Sequence, residues 1–228
     1  SGMIKSDAFH MHLTALAKEQ HSFKPLYIFS GDEPLLMMEA IDALRALART
    51  GGFTEREVLV QDRYFDWAAL INAGQTMSLF GDKRFVELRM PTGKPGRDGA
   101  ESLKHFAEQI NNTGNGVDTI ICIILPRLDS KTKSSAWFSA LDEAGMAIQI
   151  DSIDRLALPH WIGQRLKKQS QEVEAGESGQ RALQFMSDQV EGNLIAAHQE
   201  IQKLALLYPA GQLSEEQIRS AVLKVARY

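Results

Sequence analysis

Cysteine is nearly missing from this chain: Cys122 is the one thiol in 228 residues. It cannot close an internal disulfide, and a lone thiol makes a poor metal site. Lying inside an apolar run, it reads as a buried, inert side chain in a reducing compartment. No apolar stretch approaches the roughly 18 residues needed to cross a membrane, and no secretory leader is visible. Ser1-Gly2-Met3 reads instead as a tag remnant followed by a native start methionine. Positive charge is also in short supply. A net charge of −4 and a pI near 5.9 exclude a protein that holds nucleic acid by bulk charge, because phosphate binding wants a basic surface. Repeats and low-complexity segments are lacking too. The remainder is globular in composition, and 44% hydrophobic residues suffice for one large domain or two modest ones.

Catalytic signatures are equally scarce. The first strand–turn–helix of an α/β chain is where a phosphate loop would sit. Here that turn reads Ser30-Gly31-Asp32-Glu33-Pro34. A working loop needs several glycines whose N–H groups close on phosphate, a lysine, and a Ser or Thr for magnesium. This one has Gly31 alone, no lysine, and two carboxylates, Asp32 and Glu33, that repel a triphosphate. Both acids suit the positive end of the following helix, so the turn reads as structural. No acidic pair follows the strand-like runs Phe85–Leu88 or Thr119–Leu125; Arg89-Met90-Pro91 and Pro126-Arg127 stand there. His10 and His12 point to different helical faces and read as solvated. His105, His160 and His198 are isolated, without metal-ligand spacing. Asp142-Glu143 reads as a solvated helix face, and Arg127, Lys131 and Lys133 as a solvated basic loop. No Gly-x-Ser-x-Gly elbow is present, and Cys122 has no base beside it. The reading has no catalytic residue, no metal and no cofactor.

What is present is an alternation of strands and helices. Phe9, Leu13 and Leu16 stripe a helix over 7–17. Leu26-Tyr27-Ile28-Phe29 suits a strand buried on both faces. Pro34 opens a helix to about Arg49, with Met37, Ile41, Leu44 and Ala48 on one face, stopped by Gly51-Gly52. Val58–Val60 is a short strand, 66–73 a short helix, and Arg84–Leu88 a strand. Two prolines and three glycines make 91–99 a loop, and 101–110 is an amphipathic helix. Thr119–Leu125, the most hydrophobic run, belongs at the sheet centre. A helix over 135–144 and a strand at Ala147–Ile150 complete a domain over 3–151. From 152 to 228 no strand-like run appears. Helices are expected at 159–169, 178–190, 193–207 and 214–226, with Ser178 and Asn193 as caps and Ser214 with Gln217 as a capping box. The fold class is therefore α/β: a parallel-sheet domain followed by a small all-helical one.

One junction does not fit a bland reading. Gln75-Thr76-Met77-Ser78-Leu79-Phe80 lies between the helix 66–73 and the turn Gly81-Asp82. Junctions usually lie at the surface, yet Met77, Leu79 and Phe80 are large and apolar. Either they tuck under their own helix as satellite core, or they are offered to a partner as a plug. Two further readings stand beside these: a nucleotide-hydrolysing enzyme with a divergent loop, and a generic α/β binding domain.

The chain resembles the delta-subunit family of bacterial DNA polymerase III clamp loaders. The resemblance rests on 26–36, on Gln75–Phe80, on Leu128-Asp129 with Trp137-Phe138, and on Glu191-Gly192-Asn193-Leu194 with Glu200–Leu204. It implies a RecA-like AAA+ domain without a functional phosphate loop, a helical lid domain, and a third, collar-forming domain that this chain would lack as a truncated form. It implies a cytoplasmic bacterial replication protein that is no enzyme alone but a subunit of a DNA-directed DNA polymerase. Its partners would be the beta sliding clamp, the gamma/tau and delta prime subunits, and primed DNA within the complex only. In the family a glutamine, an apolar residue two positions on and a Leu-Phe pair bind the clamp. Carried over, Leu79 and Phe80 would fill an apolar pocket, Met77 would pack at its rim, and Gln75 would hydrogen-bond nearby.

Overall fold

The computed structural model describes residues 2–75, 81–112 and 117–223. The chain divides into two compact units, Ser1–Ser152 and Ile153–Tyr228.

In the first unit, β1 (Leu26–Ser30), β2 (Glu55–Val60), β3 (Arg84–Arg89), β4 (Thr119–Leu125) and β5 (Met146–Gln149) form one parallel sheet in the order β2-β3-β4-β1-β5. Period-two alternation divides β1, β3, β4 and β5 between two cores. Leu26 and Ile28 join Ile121, Ile123 and Leu125 on one face, while Tyr27 and Phe29 join Ile120 and Cys122 on the other. The first face is covered by α3 (Ala68–Gln75), α4 (Gly96–Asn112) and α6 (Ala136–Ala144) through Leu70, Leu103, Phe106, Trp137, Phe138 and Leu141. The second is covered by α1 (Ser6–Ala17) and α2 (Pro34–Thr50) through Phe9, Leu13, Leu16, Met37, Ile41 and Leu44. Each large apolar side chain so enclosed contributes about 1.5–3 kcal/mol. The most hydrophobic strand, β4, is the central one. Cys122 on β4 is fully enclosed, and burial pushes its thiol well above its ordinary pKa.

Three local departures have physical causes. The helix α4 begins at Gly96 rather than near 101, because Gly99 is a packing residue and not a loop residue. A Cβ there would lie 2.5 Å from the Trp67 ring. The strand β2 extends back to Glu55, since Glu55 and Glu57 find a cross-strand partner in Arg84. The basic stretch after β4 contains a single helical turn, α5 (Ser130–Lys133). Asp129 caps it by accepting from the Thr132 N–H at 2.7 Å.

His12 departs further: it is buried rather than solvated, while His10 is exposed. The Tyr27 hydroxyl accepts the Lys24 N–H at 3.0 Å, so its own proton goes to His12 Nε2 at 2.7 Å. That leaves the His12 proton on Nδ1, donated to His21 Nδ1 at 3.2 Å. Burial above all, with His21 and Lys24 assisting, lowers the His12 pKa from 6.5 to about 4. Below pH 6.5 the unfolded chain binds a proton that the folded one refuses. The contribution of this neutral histidine is complete above that pH and is lost progressively down to pH 4, up to about 3 kcal/mol. Denaturant midpoints measured from pH 7 to 4.5 are expected to fall accordingly, and His12→Gln to flatten the slope.

Among its described residues the second unit is helical except for one short strand pairing. It contains α7 (Leu158–Lys168), α8 (Glu177–Val190), α9 (Leu194–Leu207) and α10 (Glu215–Leu223). Between them, β6 (Gln171–Val173) and β7 (Gly211–Leu213) form a parallel pair that three-residue segments could not announce by alternation. Gln171 is buried, and its Nε2 donates to the carbonyls of Leu204 and Tyr208 at 3.0 and 3.1 Å, closing the end of α9. Ser214 and Gln217 cap α10 reciprocally, at 2.9 and 3.1 Å. Asn193 caps α9 by accepting from Ala196 N–H at 3.1 Å, after a turn in which Glu191 and Gly192 take φ of 50° and 80°. Ser178 is not a cap. Gly176 occupies that position, and the Ser178 hydroxyl donates to Glu174.

Candidate functional site

Met77, Leu79 and Phe80 lie outside the described residues, as does the side chain of Gln75, the last residue of α3. What is described is how both flanks are held. On the incoming side, α3 buries Leu70 and Ala73 against the sheet. Gly74 lets it approach α4, where a Cβ would sit 3.2 Å from the Phe106 ring. Arg84, at the start of β3, donates Nη1 to the Ala73 carbonyl at 3.4 Å, near the end of α3. The same guanidinium is ion-paired to Glu57 and lies 3.7 Å from Glu55. On the outgoing side Gly81 takes φ 76°, and the Lys83 ammonium lies 5.1 Å over the Phe53 ring. These flanks stand at the edge of the sheet where its parallel strands begin. A peptide carried between such anchors loses less freedom on binding than one on a loose tail.

The turn Ser30–Pro34 is at the opposite edge, where strands end, and it is filled by its own chain. The Ser30 hydroxyl donates to the Pro126 carbonyl at 2.8 Å, and Gly31 N–H donates to Leu125 O at 3.1 Å. Asp32 accepts the Arg127 N–H at 2.9 Å. Glu33 caps α2 by accepting the Leu35 N–H at 3.1 Å, one of the donors a phosphate would need. Gly31 serves close packing: a Cβ would fall 2.3 Å from the Ile150 carbonyl oxygen. Because that neighbour is backbone, Gly31→Ala is expected to cost about 1–3 kcal/mol, read as a shift in the denaturant midpoint.

The other candidates stay dispersed. His105 and His160 are exposed and partnered by Gln109 and Gln164, one turn away on their own helices. His198 is half-buried. Lys133 donates to Gln149 at 3.3 Å, while Arg127 and Lys131 are exposed. Among the described residues no group of three or more His, Cys, Asp or Glu is arranged to hold a metal ion, and no helix is long and apolar enough to cross a membrane.

One ionic centre escaped the sequence reading. Glu87 on β3 is 1% exposed. Its Oε1 accepts from Arg45 at 2.8 Å and from Arg56 at 3.0 Å, and its Oε2 from Arg89 at 3.1 Å. Burial alone would raise its pKa, but hydrogen bonds from Arg89 and Arg56 outweigh burial and hold it below the ordinary value. A single acid inside the apolar run Phe85–Leu88, on a strand ending in Arg89, was the available signal.

Known proteins resemble both sequence and fold. The family described as DNA polymerase III, delta subunit, matches residues 27–151. The Escherichia coli DNA polymerase III subunit delta is 29% identical over 212 residues, 93% of this chain and 59% of that protein. Among solved structures, the Bacillus subtilis DNA clamp loader delta protein superposes with a TM-score of 0.65 at 16% identity, over 93% of this chain and 61% of that one. A Thermotoga maritima RuvB mutant superposes at 0.52 with 11% identity, over 97% and 70%. The fold is thus the parallel-sheet, RecA-like AAA+ type. The chain spans less than two thirds of the length of the delta proteins it matches.

Proposed function

Because this chain belongs to the DNA polymerase III delta subunit family, we propose that it is the ring-engaging part of a clamp loader. It binds the beta sliding clamp through Gln75, Met77, Leu79 and Phe80 and helps to hold the ring open for loading onto primed DNA. The observation that carries this reading is the Gln-x-Met-x-Leu-Phe order on a junction whose two ends are fixed, by Arg84 on one side and by Gly81 and Lys83 on the other. Holding the ring open requires a surface that prefers the open ring to the closed one, since equal affinity for both shifts nothing.

In this proposal the chain is a non-catalytic member of the polymerase holoenzyme. Residues 3–151 form an AAA+ domain without a working phosphate loop, and 152–228 form a lid. The turn at Ser30–Glu33 supports the loss of nucleotide binding, because the Ser30 hydroxyl and the Gly31 and Leu35 N–H groups are already bonded and Ile150 fills the space beside Gly31. The gamma/tau and delta prime subunits are the proposed neighbours, and primed DNA is met within the assembled loader.

Calorimetry with purified beta clamp tests the reading. Saturable binding is expected without nucleotide, and titration with magnesium and ATP is expected to give no micromolar event. A ring protein that ignores the chain sinks the proposal, and micromolar ATP binding sinks the account of the turn.

A further inference from the structure

The strand β2 is an open margin of the first unit's sheet: among the described residues it pairs with β3 alone. The register sets Arg56, Val58 and Val60 beside Phe85, Glu87 and Arg89, so these six share a face. Val58 and Val60 are 39% and 52% exposed. Natural edge strands are usually blunted by charge. Here the charged residues stop at Glu57, and Val58-Leu59-Val60 follow without one.

The arginines around Glu87 border this bare half-strand. Three guanidiniums meet Glu87, and Asp42 takes a further bond from Arg45, so three positive charges face two negative ones. The Arg56 and Arg89 side chains remain 46% and 48% exposed. A guanidinium carries five N–H donors. Arg56 directs Nε and Nη2 at Glu87, and Arg89 directs only Nη2. The buried carboxylate therefore fixes two planar donors in place while leaving N–H groups for an incoming acceptor.

We propose that this margin docks an extended acidic segment of a protein partner. The segment adds a strand along β2, lays apolar side chains on Val58 and Val60, and sets carboxylates against Arg56 and Arg89. Nucleic acid fits less well. Phosphates would use the arginines and leave the valines without a role. The inference is independent of the clamp reading, since it uses no residue of the 75–80 segment.

The test titrates the full, isotopically labelled chain with a blocked peptide in which glutamate alternates with valine and threonine. Amide shifts are expected along 55–60 and at 87–89, with slowed hydrogen exchange in β2. Arg89→Gln leaves Arg45 and Arg56 on Glu87, and Val60→Ser touches no ion pair and adds no charge. Each is expected to weaken binding about tenfold, with melting temperatures confirming that both variants fold. Three results would overturn the proposal: no shifts at millimolar peptide, equal binding of a peptide with lysine for glutamate, or unchanged affinity in Val60→Ser. A short DNA duplex that displaces the peptide and moves the arginine resonances without the valines would also overturn it, in favour of a polyanion site.

Discussion

Replacing Leu79 and Phe80 together by alanine is expected to weaken binding to the sliding clamp by two to four decades while leaving the fold intact. Two such side chains entering an apolar pocket contribute about 3–6 kcal/mol, which corresponds to that range of dissociation constants. The fold is expected to persist because Leu70, Ala73 and Phe106 pack together in the core beside α3. Calorimetry against the clamp reads the affinity, and circular dichroism with a thermal scan reads the fold. An unchanged affinity in the double variant refutes the plug. A collapsed fold instead returns Met77, Leu79 and Phe80 to the satellite-core reading.

The second large effect concerns the ionic centre on β3. Changing Arg45, Arg56 and Arg89 together to alanine strands a carboxylate that is 1% exposed, and the expected loss is about 3–5 kcal/mol. Glu87→Leu is expected to cost much less. It fills the space with carbon, and the half-exposed guanidiniums of Arg56 and Arg89 turn to water. The pH dependence separates the cases. In the native chain Glu87 titrates below its ordinary value near 4.5. Its contribution is therefore present above that value and is lost as pH falls through the depressed one. The arginine-free variant reverses the direction: the stranded acid titrates high, so acidification relieves it. With the His12 slope common to both, the difference in denaturant midpoint between the native chain and the variant is expected to shrink as pH falls from 7 to 3.

Local signals made much of the fold legible. The unbroken apolar runs of β1 and β4 pointed to strands covered on both faces, and all five residues of β1 are buried. The spacing of Ser214 and Gln217 pointed to a reciprocal cap because that geometry depends on three residues alone. What could not be read depends on partners distant in sequence. His12 is buried because Tyr27 and His21 close over it. Gly99 sits in a helix because Trp67 needs the room, and Glu87 is tolerated because Arg45 reaches it from α2. At the candidate site, Glu33 as a helix cap was readable from charge and helix polarity; the bond of Asp32 to the Arg127 N–H, 95 residues away, was not. The fit of Gly31 under Ile150 was not, since it is set by how two strands end side by side.

The enclosure of Cys122 has a practical consequence for following this molecule at work. With its sole native thiol sealed in the central strand, a cysteine introduced on the surface would be the one group open to a maleimide dye. No background substitution would be required. Slow alkylation of Cys122 itself would then report opening of the sheet as a whole, giving a built-in clock for global unfolding beside the engineered label.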